Sequence, residues 1–194
     1  MKTISPTTPA DAAATPDLRQ AFRDHPLSML LATGFGAGFA PLAPGTAGSG
    51  LALAAAWLFA RAISPSHMPS VVAAVGLLTS GLLVALAGVG ISGRVAAVLG
   101  RKDPGCIVVD EMAGQLLACA VVPLFAYPSP RTAAAVWVAS FLAFRLFDVW
   151  KPGPIDAWQA LPGGWGIVVD DVAAGALAAG VTAGVAALLS APAA

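Results

Sequence analysis

Residues 71–92 read VVAAVGLLTSGLLVALAGVGIS, with no charged side chain among them. A bilayer-spanning helix needs roughly 20 predominantly apolar residues, so this run predicts a transmembrane span. Outward from it, Ile107–Ala126, Thr132–Phe147 and Ile167–Leu189 are further runs, the second of them short. A fifth, Ala47–Ile63, is also short and follows a Gly/Pro-rich stretch. Helix breakers fall between the runs: Ser64-Pro65 and Pro69, then Pro128-Ser129-Pro130, then Pro152, Pro154 and Pro162-Gly163-Gly164. Proline lacks the backbone donor and clashes with the preceding turn, so it ends helices. The fold expected is all-α: a polytopic transmembrane helical bundle of about five spans, or four if the first apolar segments are re-entrant or interfacial.

Leu27–Ala43 is apolar but interrupted by Gly34, Gly36, Gly38 and Pro41, with Pro44 following. It reads as interfacial or re-entrant. Non-helical backbone at membrane depth survives only where protein or a water-filled cavity covers it, which makes the segment a candidate wall of a site. Residues 1–26 read as a flexible cytoplasmic tail without the apolar core of a signal peptide, and 27–194 as one membrane-embedded domain.

Composition agrees. Of 194 residues 58% are hydrophobic and 10% charged, and mean hydropathy is +0.82; soluble domains carry about 25% charged residues. Formal net charge is zero, so no nucleic-acid partner is indicated. Cys106 and Cys119 lie in or beside apolar sequence and form no spaced framework, so free thiols are expected. His25 and His67 are isolated, which argues against a His/Cys metal site.

With five spans and a cytoplasmic N-terminus, Lys2, Arg19, Arg23, Arg94, Arg101, Lys102, Arg145 and Lys151 fall on the cytoplasmic side, and only Arg61 and Arg131 outside. That bias sets orientation by the positive-inside rule. Asp103, Asp110, Glu111, Asp148, Asp156, Asp170 and Asp171 fall on the same side, and no acid lies in either outer turn. Small residues stud every span, as in Leu86-Ala87-Gly88 and Ala173-Ala174-Gly175, and permit close helix packing in lipid.

The chain contains an echo. Ile107-Val108-Val109-Asp110-Glu111-Met112-Ala113 matches Ile167-Val168-Val169-Asp170-Asp171-Val172-Ala173 at an offset of 60 residues. Both segments open spans running the same way, so two vicinal acid pairs arrive at one depth. Two carboxylates at 4 Å repel by about 4 kcal/mol at an effective dielectric of 20. An acid in mid-bilayer costs about 2.5–3.5 kcal/mol on insertion scales. A hard divalent cation with oxygen ligands would offset both. Adjacent helical residues diverge by about 100°, so one direct ligand from each pair is expected, the other acting through water. The alternative is that acids at a helix start merely complement the macrodipole.

Two further clusters carry chemistry. In Phe144-Arg145-Leu146-Phe147-Asp148-Val149-Trp150-Lys151-Pro152, Arg145 and Asp148 share a helical face. Arg145 offers phosphate a bidentate fork and Lys151 a point charge. The alternative is an Arg145–Asp148 ion pair, a Lys151 anchor and a belt tryptophan at 150. In Pro41-Leu42-Ala43-Pro44-Gly45-Thr46-Ala47-Gly48-Ser49, Thr46 brings a hydroxyl to a helix start whose free N–H groups suit an anion; the alternative is an ordinary N-cap. Gly34-x-Gly36-x-Gly38 follows no strand and carries no nucleotide meaning. Asp103, in the loop Arg101–Gly105, either adds to the acids or is a solvated turn residue.

Taken in order, these residues resemble the phosphatidylglycerophosphatase A family. The matching set is Gly34-Phe35-Gly36-Ala37-Gly38, Pro41, Pro44-Gly45-Thr46, Gly48-Ser49, Asp103, Ile107-Val108, Asp110-Glu111, Gly114, Phe144-Arg145, Phe147-Asp148, Lys151-Pro152, Pro154-Ile155, Gly163-Gly164, Gly166-Ile167 and Asp170-Asp171. It extends from Gly34 to Gly175; residues before Leu27 add nothing to it. Pro104 and Cys106 depart from the polar loop expected there. The resemblance implies an inner-membrane enzyme of Gram-negative bacteria. It would remove the terminal phosphate of phosphatidylglycerophosphate with Mg²⁺, yielding phosphatidylglycerol.

The resulting expectation assigns catalysis to Asp110, Glu111, Asp148, Asp170 and Asp171. Thr46, Arg145 and Lys151 bind phosphate. Asp110, Glu111, Asp170 and Asp171 hold Mg²⁺, with Asp103 as a further candidate. Asp148 orients Arg145 or acts as base. Partners are the lipid substrate and the bilayer, with a homo-oligomer compatible and no nucleic acid. The site faces the cytoplasm. A small ion-coupled transporter using the same acids is the alternative, and its signature would be acids at several depths. A scaffold without chemistry leaves the matched acid pairs unexplained.

Overall fold

In the computed structural model, the residues described are 18–64, 69–153 and 155–190. Helices follow where apolar runs meet capping signals. These are α1 (Leu18–Asp24), α2 (Pro26–Ala32), α3 (Pro44–Ile63), α4 (Val71–Leu99), α5 (Val109–Cys119), α6 (Pro130–Trp150), α7 (Ile155–Trp158) and α8 (Trp165–Leu189). Among the described residues, α3, α4, α6 and α8 are the four helices long and apolar enough to cross a membrane.

Local chemistry places the ends. Ser70 caps α4, its hydroxyl accepting from the Ala73 N–H at 3.2 Å, and Gly100 closes the helix at φ +63°. Ser129 caps α6 through the Thr132 N–H at 3.1 Å, with Pro130 at the first helical position, where its missing donor is harmless. Each long helix extends beyond its apolar run: α4 continues from Ser92 to Leu99, and α6 includes Pro130 and Trp150.

The third run departs from expectation. Ile107–Ala126 is not one long helix but α5 followed by a 3₁₀ turn at Val122–Leu124. Pro123 sits inside that turn and cannot continue an α-helix. The pair nevertheless traverses the bundle antiparallel to α4. A Cβ on Gly88 would lie 3.6 Å from Val109 Cγ1, and one on Gly81 2.8 Å from Leu117 Cδ2. At the far end the Ser70 N–H donates to the Pro123 carbonyl at 2.7 Å. Interrupted backbone is tolerated at this depth because α3, α4, α6 and α8 surround it. Ala113, Ala118 and Cys119 are fully buried.

Residues 1–17 of the expected tail lie outside the described residues, as do His67 and Pro154. From Leu18 the chain is helical, and Ala21 is buried beside Val95 and Leu99 of α4. The Leu27–Ala43 segment is not one long helix. α2 buries Met29 and Ala32 against the last turns of α4, and a 3₁₀ turn at Ala37–Phe39 follows.

Candidate metal and phosphate site

α5 and α8 run side by side in the same direction, and glycines let them touch. A Cβ on Gly175 would stand 2.9 Å from the Gly114 Cα, and one on Gly114 2.5 Å from the Asp171 carbonyl oxygen. That crossing sets the two halves of the echo at one level. Ligand oxygens of Asp110, Glu111 and Asp171 all lie within 4.8 Å of one another. Asp110 and Asp171 are buried and Glu111 nearly so.

Depth follows from α4. A hydrocarbon core of about 30 Å takes roughly 20 helical residues, which from Val71 ends near Gly90. Gly88 faces Val109, so the acids sit at the edge of the core rather than its centre. All acids among the described residues lie at this end of the bundle.

The cations come from the end of α6. Arg145 Nη1 donates to Asp148 Oδ2, and Lys151 Nζ donates to Asp170 Oδ2. Lys151 Nζ also lies 3.9 Å from Asp148 Oδ1 and 3.7 Å from Asp171 Oδ1. Lys151 ends α6 in the left-handed region, at φ +44°. That bend returns its side chain to the carboxylates rather than out to head groups, so it is no simple anchor. Burial alone would lower the Lys151 pKa; Asp171, Asp170 and Asp148 outweigh it and push it up. Trp150 beside it is exposed, as a belt residue would be.

The glycine-rich segment closes the third side. The Val108 N–H donates to the Ala32 carbonyl at 2.8 Å. Gly34 packs on Val108 and Met112, Gly38 on the Cys106 carbonyl, Gly48 on Val108, and Gly45 directly on Glu111 and Arg145. The first turn of α3 therefore abuts the acids. Its N-cap is Ala43, which offers no side-chain cap, so the ordinary-cap reading of Thr46 fails. Thr46 itself is exposed one residue beyond Gly45.

Not every expected ligand joins the cluster. Asp170 turns toward Lys151, so the set of three takes both acids of the first pair and one of the second. Asp103 is exposed in its loop, beside Lys102, Gln159 and Gly163. Pro104 in that loop is buried and Cys106 half-buried, with burial pushing the Cys106 thiol up. Both cysteines are free.

The donor chemistry fits a hard cation. Asp110 Oδ1, Glu111 Oε2 and Asp170 Oδ1 are buried without a hydrogen-bond partner. Buried acceptors left unpaired are strongly disfavoured, and a divalent ion with oxygen ligands removes that penalty. Two neighbours escaped the sequence reading. Gly45, with no side chain, carries no sequence signal of its contact with Glu111 and Arg145. Gln115, fully buried one turn past Glu111, donates to Cys119 Sγ at 3.1 Å while its Oε1 has no partner; a lone amide in an apolar run was its only signal.

The profile of the phosphatidylglycerophosphatase A family matches residues 30–186. The chain belongs to that family. A phosphatidylglycerophosphatase A of Escherichia coli (strain K12) is 36% identical over 155 residues, covering 78% of this chain and 79% of that one. One of Haemophilus influenzae is 34% identical over 147 residues, 75% and 80% of the two chains. A Bacteroides thetaiotaomicron protein, described as a candidate phosphatidylinositol-3-phosphatase, is 36% identical over 152 residues, 77% and 87%. No solved structure matches. Membership in the phosphatidylglycerophosphatase A family makes the chain a phosphoric monoester hydrolase, and the transporter alternative is set aside.

Proposed function

We propose that this protein is a Mg²⁺-dependent lipid phosphatase. It hydrolyses the terminal phosphomonoester of phosphatidylglycerophosphate to phosphatidylglycerol in the bacterial inner membrane, its site facing the cytoplasm. One observation carries the reading: three carboxylates from two parallel helices converge within 4.8 Å, those of Asp110 and Glu111 each with a buried unpartnered oxygen, beside Arg145 and Lys151. The relatives named phosphatidylglycerophosphatase A support the substrate. The orientation rests on Arg94, Arg101, Lys102, Arg145 and Lys151 at the site end against Arg61 and Arg131 at the other.

Asp110, Glu111 and Asp171 would hold the ion. When bound it neutralises phosphate charge and lowers the pKa of water. Arg145 and Lys151 bind the non-bridging phosphate oxygens and stabilise charge that develops in the transition state. Asp148, held between these two cations, orients them. Asp170 would accept the proton of the attacking water, a role that its unpartnered Oδ1 supports. Thr46 and the uncapped N–H groups of the α3 first turn complete the phosphate pocket. The acyl chains stay in lipid, so only the head group enters.

Purified protein in lipid should release phosphate from phosphatidylglycerophosphate, and EDTA should abolish the release until Mg²⁺ is restored. Full activity in EDTA would remove the metal from the reading. No release from this lipid, with release from another phosphomonoester lipid, would correct the substrate.

A further inference from the structure

The stretch formed by α2 and its connection to α3 carries a surface that the site does not use. Leu27, Leu30, Phe35, Phe39 and Leu42 are all exposed, Phe35 by 67% and Leu42 by 96%. Five large apolar side chains within sixteen positions, exposed among the described residues, form a patch that water would not tolerate.

The backbone is built to present it. Gly34, Phe35 and Gly36 have φ of +54°, +56° and +98°. Glycine takes such angles freely, but phenylalanine at positive φ is an outlier. Gly34 is locked down on Met112 and Val108. The next residue is thereby swung away from the protein, at the expense of backbone strain. Phe39 rests near Phe22 of α1, their ring centroids 5.9 Å apart, which steadies the hook from behind.

The level is that of a membrane interface. α2 packs on Val95, Ala96 and Leu99, beyond the roughly 20 residues of α4 that fill the hydrocarbon core. Gly45, three residues after Leu42, lies against Glu111 at the core's edge. The patch is thus continuous with the lipid-facing sides of the spans. Arg19 and Arg23 of α1, just before this stretch in the chain, are both exposed, and basic residues next to an apolar surface are the composition of an in-plane amphipathic anchor.

We infer that residues 27–42 form a hydrophobic hook, with Phe35, Phe39 and Leu42 sunk into the acyl boundary of the site-side leaflet at the mouth of the acid site. The hook holds the rim of the site at the depth of lipid head groups. This goes beyond the proposed activity and does not depend on it.

Spin labels placed one at a time at Phe35→Cys, Phe39→Cys and Leu42→Cys test it, in full-length protein reconstituted into phospholipid vesicles. Cys106→Ser serves as background; Cys119 is fully buried. Relaxation by lipid-soluble oxygen and by a water-soluble nickel chelate gives depth. Leu83→Cys on the exposed face of α4 and Lys102→Cys in the exposed loop are the lipid and water references. Hook labels should favour oxygen over nickel several-fold more than the label at Lys102, approaching that at Leu83. Nickel accessibility equal to that at Lys102 would overturn the inference. So would protection from both reagents, which would mean a protein surface covers the patch.

Discussion

Gly175 of α8 lies so near Gly114 of α5 that a single added methyl would stand 2.9 Å from the Gly114 Cα. That spacing holds Asp171 beside Asp110 and Glu111. Overpacking a tight core costs about 1–3 kcal/mol. Gly175→Ala and Gly114→Ala should therefore lower the thermal midpoint in detergent and cut turnover sharply. Gly180→Ala and Gly184→Ala, which meet nothing within 4 Å, should leave both unchanged. A wild-type rate in Gly175→Ala would show that the helix spacing is not critical.

Replacing a group in the acid cluster should be far more damaging than replacing an acid outside it. Asp110→Asn, Glu111→Gln and Asp171→Asn should each reduce turnover by about 10²–10³-fold, the loss typical of a removed transition-state stabiliser. Asp103→Asn, exposed in its loop, should retain activity within a few-fold. Phosphate-release assays at matched membrane expression separate the two groups. Equal losses at Asp103 and Asp110 would place the loop acid in the site.

Gly45 offers a different dissection. A side chain there collides with the Glu111 carboxylate and comes within 3.3 Å of Arg145 Nη1. Both neighbours are tips of flexible side chains, so they can move aside without unfolding the protein. Gly45→Ala should lower kcat/KM by about 10-fold, an effect of about 1.4 kcal/mol, with the thermal midpoint nearly unchanged. A large fall in the midpoint would assign Gly45 to folding.

Metal should appear in stability as well as rate. A ligand that binds only the native state stabilises it by about 2.7 kcal/mol at one hundred times its dissociation constant. Mg²⁺ should raise the unfolding temperature of the wild-type protein above its value in EDTA. Asp110→Asn should lose that increment, yet be more stable than wild type in EDTA, because it removes an unpaired buried charge. Identical Mg²⁺ shifts in both proteins would move the ion elsewhere.

Lys151 faces Asp148, Asp170 and Asp171. Lys151→Met leaves those charges uncompensated and should impair both expression and activity, since breaking a buried ion pair from one side costs about 3–5 kcal/mol. Lys151→Arg keeps the charge and should recover expression but not full turnover, because a planar fork cannot replace a point charge in that space. Full turnover in Lys151→Arg would make the contact purely electrostatic.

Much was legible in the chain before any coordinates. The run 71–92 fixed a helix because twenty-two apolar residues in lipid must satisfy their backbone internally. The 60-residue echo foretold that the two acid pairs would share a level, and the broken apolar segment Leu27–Ala43 foretold a wall beside them. Less was legible where packing overrides composition. Pro123 hid inside an apolar run that length alone read as a span, and Leu18–Asp24 has the polarity of a tail yet buries Ala21.

By itself, then, the sequence determined that the chain forms membrane-crossing helices and that its acids gather at one end of them, since these depend on hydrophobic transfer and on the order of residues along the chain. Only the tertiary structure decided which acid of each pair meets which partner. Rotation of α8 about its axis selects Asp171 for the cluster and leaves Asp170 to Lys151. The contact of Gly175 with Gly114 sets that rotation, and one-dimensional spacing holds no record of it.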